Sequence, residues 1–490
     1  MIPQNVKKIY SESEENYAFK DCKNTITSLN FSENSQIENI NEFSFFNTSL
    51  ESADFRNCQK LKLLNASLFQ EYYDLKSIFL PPKVSMIGKY CFYFNINLQT
   101  FDIPDSVIDI AEHALEGCKS IKTITLPPNF IFITSYMLTS CETLDNIVVN
   151  NELKVIYDNA FNGCYKLSSI ILPSSLNEIS NNAFRNCISL KTIYFPQFIL
   201  QIHFEAFCNC SSLDNIILPN YLTQIEFALF RYCRSLTTII IPNSVKTIDM
   251  NAFSHCTSLT NITIPESMTT IGIETFSFCT SLTSISIPNS VTDIGYGVFS
   301  YCTSLLTITL PQNIETINRE TFSYCTSLTY ITLPSFINTI EWKSFSHCSS
   351  LTSITFPSSI STIQFNAFEY CSNLTTIGFE SNYNKIGFAL NTFYKVQNKL
   401  NIYIPGRFNI NETSSRAFPK RSHLYITSQT TLSDSCKPFF GHRSVYVHNG
   451  NPISKIDPIT LDVINYINIS DIDVTDPIFM INQQKIFRRR

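Results

Sequence analysis

The sequence predicts a β-rich solenoid, a stack of similar coils in place of a single globular core. Three observations predict it. Cysteines stand at 118, 141, 164, 187, 210, 233, 256, 279, 302, 325, 348 and 371, and every interval is 23 residues. Fifteen places after each of these positions stands an isoleucine, from Ile133 to Ile386, and the same column continues upstream to Ile110 and Ile87. Between them, stretches such as "LTSISIP" (282–288) alternate apolar residues with serine and threonine, the period-two pattern of a strand buried on one face. A fixed period in the range of roughly 20–50 residues marks units that bury their apolar faces only against their neighbours.

Residues 1–67 are expected to form an N-terminal cap of irregular repeats. There "AFKDC" (18–22) and "DFRNC" (54–58) carry a Phe-x-x-Cys pair at irregular spacing. Terminal repeats depart from the pattern because they close an otherwise exposed core end. The regular solenoid is assigned to residues 68–405 and holds fourteen units, because Tyr72 and Asn95 occupy the cysteine slot while the rest of the pattern holds. Six places after the slot comes isoleucine, with Phe101 the one exception. Three places before it comes phenylalanine, except at Leu115 and Leu138.

Within a unit, the Leu-x-x-Ile stretch reads as a strand. Proline nine places after the cysteine ends it, since proline has no N–H for a ladder; Asn150 and Glu380 are the two exceptions. A segment such as "SVTDIG" supplies a second short extended piece with valine and isoleucine inward. The segment before each cysteine is too short for an independent helix and is expected to form a helical or 3₁₀ turn. Stacked at about 4.8 Å per coil, such units form a rod or arc. From Gly406 the period vanishes, and residues 406–490 are assigned as a non-repeat cap or accessory region.

The phrase "CTSLTSISIPNSVTDIGYGVFSYC" (279–302) resembles the BspA-like, or Treponema pallidum-type, leucine-rich repeat: Leu-x-x-Ile-x-Ile-Pro, then Val-x-x-Ile-Gly, then Ala-Phe-x-x-Cys. The resemblance covers about two thirds of the chain and departs from the pattern at its ends and at Asn150. It implies a curved, right-handed leucine-rich-repeat solenoid. It also implies a non-enzymatic binding or adhesion role, since members of the family are described as surface antigens of bacteria and parasitic protists.

The chain has 490 residues, 44% apolar and only 15% charged, with a net charge of −5. Between Leu236 and Thr376 there are eight acidic and three basic residues, none on the long strands. Such a surface does not bind phosphate backbones electrostatically, so no nucleic-acid partner is expected. The N-terminal "MIPQNVKKIYSESEENYAF" has no apolar core segment, so no signal peptide is expected, and no apolar run reaches membrane-spanning length. Seventeen cysteines suggest a disulfide framework until they are placed. Identical slots in stacked coils lie about 4.8 Å apart with parallel side chains, whereas a disulfide needs Cβ atoms about 3.8 Å apart. The thiols are therefore expected to be free and buried, which fits a reducing compartment. Localisation is thus divided between the cell surface, from the resemblance, and the cytoplasm, where an intracellular interaction scaffold is the competing function.

No catalytic residue, cofactor site or metal site is expected. Glycine is scarce, at 11 residues, and no phosphate-cradling or nucleophile-elbow pattern occurs. His255-Cys256 and His347-Cys348 lie four coils apart, too far to share an ion. Two surface columns remain as candidates for binding a protein or glycan. The slot before the cysteine carries rings, Tyr301 and Tyr324 among them, whose ordinary role is to cover the core edge. The outward slots of the long strand carry mostly serine and threonine, whose ordinary role is cross-strand stacking. That column is interrupted by Phe79, Ile171, Tyr194, Ile217, Ile240 and Tyr330.

Overall fold

The computed structural model describes residues 2–448, apart from 11–17, 20–24, 43, 46–47, 381–385, 397–399, 405–409, 414–416, 418, 420–421 and 428–443. It is a parallel β-solenoid whose chain divides into two compact units. Met1–Val245 with His255–Thr257 form the first, and Lys246–Ser254 with Ser258–Arg490 the second.

Most regular coils contribute one long and one short strand, and most strands pair in parallel with a counterpart 23 residues on; the coil holding Tyr330 has only the short one, Thr339–Ile340. In the first unit Ser169–Ile171, Thr192–Tyr194, Asn215–Ile217 and Thr238–Ile240 pair in register, isoleucine on isoleucine at the centre. Phe132–Ile133, Val155–Ile156, Glu178–Ile179 and Gln201–Ile202 form the matching short-strand sheet. In the second unit Thr247–Ile248, Thr270–Ile271 and Asp293–Ile294 do the same, and so do Ser284–Ser286 and Thr307–Thr309. Side chains at the long-strand centres are buried and their flanks face water, as the alternation requires.

The third side of the coil is a turn, not a helix, and here the structure corrects the sequence expectation. Two residues per coil, the one before the cysteine and the one four places earlier, have left-handed backbones. Gly297 and Tyr301 (φ 63° and 60°) and Glu320 and Tyr324 (56° and 60°) are examples. Reversing φ every fourth residue breaks the helical path, and the hydrogen bonds record the consequence. The N–H groups of Gly297, Phe299 and Tyr301 donate to carbonyls one coil onward, those of Arg319, Thr321 and Ser323, at 3.0, 3.0 and 2.7 Å. Those of Ser300 and Cys302 donate back within the turn to Gly297 and Phe299, at 3.0 and 3.1 Å. These five donors of the segment all find acceptors, as a buried backbone requires.

Phenylalanine fills the space beneath this turn. In the first unit Phe161, Phe184, Phe207 and Phe230 stack at 5.0, 5.4 and 5.9 Å between ring centroids. In the second, Phe253, Phe276, Phe299, Phe322, Phe345 and Phe368 continue the theme at 5.0–5.8 Å. The cap is built the same way, with one change of register. Phe19, Phe45, Phe69 and Phe92 form the column, while Phe55 of "DFRNC" pairs with Phe31 beside the long strands. Spacings of 26 and 24 residues, from Phe19 to Phe45 to Phe69, therefore replace the 23 of the regular coils. At the other end the ladders run on past Gly406: Ile410–Thr413 pairs with Ile386–Phe388, and Ser444–His448 pairs with His423–Thr427, both in parallel. The apolar "DPITLDVINYINISDIDVTDPIFMI" segment lies outside the described residues.

Candidate interaction surface

The cysteine slot is occupied by a structural donor. Twelve thiols, from Cys118 to Cys371, each donate to the carbonyl of the residue three places before the preceding slot. Cys302 donates to Phe276 and Cys325 to Phe299, both at 3.1 Å, and the whole set spans 3.0–3.3 Å. At Asn95, one of the two slots where the cysteine is replaced, a donor remains: the side-chain amide donates to the Phe69 carbonyl at 2.7 Å. All fifteen cysteines among the described residues are free and buried. Burial pushes the Cys141 and Cys302 thiols up to about 12 and Cys208 to about 11, so none is poised as a thiolate nucleophile. Among the described residues no group of three His, Cys, Asp or Glu side chains could hold a metal ion.

The ring column before the cysteines is a packing device with a backbone cost. In the second unit Phe278, Tyr301, Tyr324, His347 and Tyr370 stack at 4.3, 4.4, 4.1 and 4.5 Å, nearly parallel. In the first, Tyr232 and His255 stack at 4.5 Å, and Tyr90, His113 and Tyr136 form a second column at the other left-handed slot. Every one of these residues has φ between 57° and 63°. A bulky side chain there costs of order 1–3 kcal/mol. In four other coils the slot before the cysteine holds residues that suit it, Gly117, Gly163, Asn186 and Asn209, and in one it holds Ser140. Stacking on two neighbours, worth about 0.5–1.5 kcal/mol each, offsets the strain. Because each ring covers the faces of the next, Tyr301 and Tyr324 offer a partner only their edges. Burial lowers the basicity of His255, helped by Arg231 and Arg234; at His347 burial also dominates, opposed by Glu369.

The long-strand face is different, because its side chains stand free of one another's faces. In the first unit the second outward slot holds Val148, Ile171, Tyr194, Ile217 and Ile240 in five successive coils, with exposures of 50, 86, 70, 69 and 76%. Their companions at the first outward slot are Asn146, Ser169, Thr192, Asn215 and Thr238, all uncharged. The strand register sets Ile171, Tyr194, Ile217 and Ile240 side by side. Sequence reasoning missed Val148; its place in the 23-residue register was the available signal. Beside the stripe, the Phe198 and Tyr221 rings lie 5.8 Å apart, tilted by 35°, and both are exposed, as is Leu200. Phe79 stands apart under the Arg56 guanidinium, 4.3 Å from its ring, and Arg56 is itself paired with Asp54. In the second unit Tyr330 is exposed among hydroxyls, and its own hydroxyl accepts a hydrogen bond from Thr332 at 2.9 Å.

A stack of 23-residue coils with Leu, Ile and Phe inward, and no helix among the described residues, is the architecture of a leucine-rich-repeat protein. The BspA type leucine rich repeat region matches residues 1–118, 85–214, 200–329 and 315–442, and the chain belongs to that family. A leucine-rich repeat protein from Bacteroides ovatus is 28% identical, with a TM-score of 0.55, over 63% of this chain and 87% of its own. The Treponema pallidum leucine rich repeat protein is 30% identical over 33% of this chain and 77% of its own, with a TM-score of 0.31. No curated protein matches the chain. No catalytic family is indicated, and the family assignment is that of an interaction scaffold.

Proposed function

We propose that this protein is a non-enzymatic binding or adhesion protein that presents its long-strand face to a protein or glycan partner. The observation that supports the reading is the stripe from Val148 to Ile240, five largely exposed apolar side chains in an uncharged setting. Soluble proteins rarely leave contiguous apolar surface of several hundred Å² uncovered without a use for it. The family resemblance adds the expectation of a surface role.

Specificity on this face lies where the hydroxyl column is interrupted, at Phe79, Tyr194, Ile217, Ile240 and Tyr330, because uniform Ser and Thr offer every coil the same chemistry. Tyr194 and Tyr330 are the aromatic anchors of the kind that dominate interface energies. The test is a glycan array and a panel of matrix proteins probed with the wild type and with Tyr194→Ser/Tyr330→Ser. Serine already serves equivalent slots at Ser284 and Ser286, so stability should hold, while affinity should fall by more than about 2 kcal/mol. Unchanged affinity, with loss instead on replacing Tyr301 and Tyr324, would move the site to the ring column.

A further inference from the structure

From the layout of the first unit's stripe we infer that its occupant is a second copy of this chain, packed face to face about a twofold axis. The inference rests on the reading of the long-strand face as an interaction surface and names the occupant of one part of it. The axis would run parallel to the strands, between Thr192–Tyr194 and Asn215–Ile217.

Three features support it. The first is area. Taking about 150–250 Å² for a large side chain, the four stripe residues that the axis pairs present roughly 450–750 Å² to water, and Phe198, Leu200 and Tyr221 add to it. A standard-size interface takes about 800 Å² from each partner. The second is self-complementarity. Rotation about this axis reverses the coil order and keeps the strand direction. Tyr194 then faces the Ile217 of the second copy, Ile171 faces Ile240, and Phe198 faces Tyr221. Each pairing occurs twice, as an isologous interface demands, and every pairing is apolar on apolar between sheets about 10 Å apart. The third is charge. The outward slots of these strands carry none, so no ion is buried. At the strand starts, on the rim, the exposed residues are Lys191 in one central coil and Asp214 in the next. The axis sets Lys191 of each copy against Asp214 of the other, an attraction at the centre of the rim.

The experiment is sedimentation equilibrium of the full chain up to about 100 µM at low salt. The wild type is expected to dimerise. Ile171→Thr/Ile217→Thr should raise the dissociation constant at least about tenfold; threonine stands in the same slot at Thr263 and Thr309, so the fold tolerates it. Lys191→Asp should weaken the dimer roughly threefold or more, and adding Asp214→Lys should restore it. A monomeric wild type, a dimer indifferent to the threonine pair, or a charge swap without restoration would each overturn the inference. A monomer whose array or matrix ligands are lost in Ile171→Thr/Ile217→Thr would sink the dimer and leave the proposed function standing. A dimer that behaves as expected but binds no ligand would do the reverse.

Discussion

Replacing Asn95 with cysteine should stabilise the protein. Asn95 sits fully buried in a slot that twelve following coils fill with cysteine. Its amide nitrogen reproduces the thiol's hydrogen bond, donating to the Phe69 carbonyl at 2.7 Å, but its carbonyl oxygen has no partner. A thiol offers the same donor without a second polar atom to desolvate. Leaving a buried acceptor unsatisfied costs about 1–3 kcal/mol, and the two side chains are close in volume, so neither a cavity nor crowding opposes the change. The Phe69 carbonyl gains a weaker donor in exchange, so the expected net gain is about 1–2 kcal/mol. In a solenoid this gain is local. The assay is therefore native-state amide exchange of the coil between Phe92 and Phe101, alongside urea unfolding, because global two-state analysis is unsafe for repeat arrays. Asn95→Ala, which loses the donor and opens a gap, should destabilise. If Asn95→Cys slows no exchange in that coil, or unfolds at lower urea than the wild type, the donor account of the cysteine slot is wrong.

Further outcomes follow from the same geometry. Tyr324 has φ 60° and stacks on both neighbours; Tyr324→Ala should therefore melt below Tyr324→Gly, by about 1 kcal/mol of stability, and the opposite order would deny the left-handed backbone. Ile294→Asp or Phe299→Asp puts an unpaired charge into the stacked core, and a melting temperature like the wild type's would mean the inward assignment fails. In native protein at pH 8 a thiol reagent should find at most Cys22 and Cys436, which lie outside the described residues, whereas denatured, non-reduced protein should titrate most of the seventeen. Stability should also fall with alkali. The folded thiols titrate above their unfolded value, Cys302 near 12, so from about pH 8.5 upward the unfolded chain sheds protons that the folded chain keeps, at up to about 1.4 kcal/mol per pH unit per thiol. A urea midpoint that stays flat between pH 7 and 10 would show that the thiols ionise in place.

The sequence by itself determined the coil. A 23-residue period with Ile, Leu and Phe at constant offsets has no other way to bury its apolar faces, and parallel equivalent slots exclude disulfides along the column; both follow from one coil and its repetition. It also marked most of the exposed stripe, since outward slots on a strand are set by alternation alone. Only the tertiary structure decided the rest. The turn before each cysteine became a ladder of left-handed residues in place of a helical turn, because neighbouring coils supply acceptors that a single segment cannot. Tyr301 and Tyr324 carry no local signal for φ near 60°; their neighbours' rings hold them there. Phe45, not Phe55, took the stacked position in the cap, since irregular spacing leaves the sequence without a register. That Val148, Ile171, Tyr194, Ile217 and Ile240 make one surface depends on residues 23 positions apart lying on neighbouring coils, a proximity that exists only once the coils are stacked.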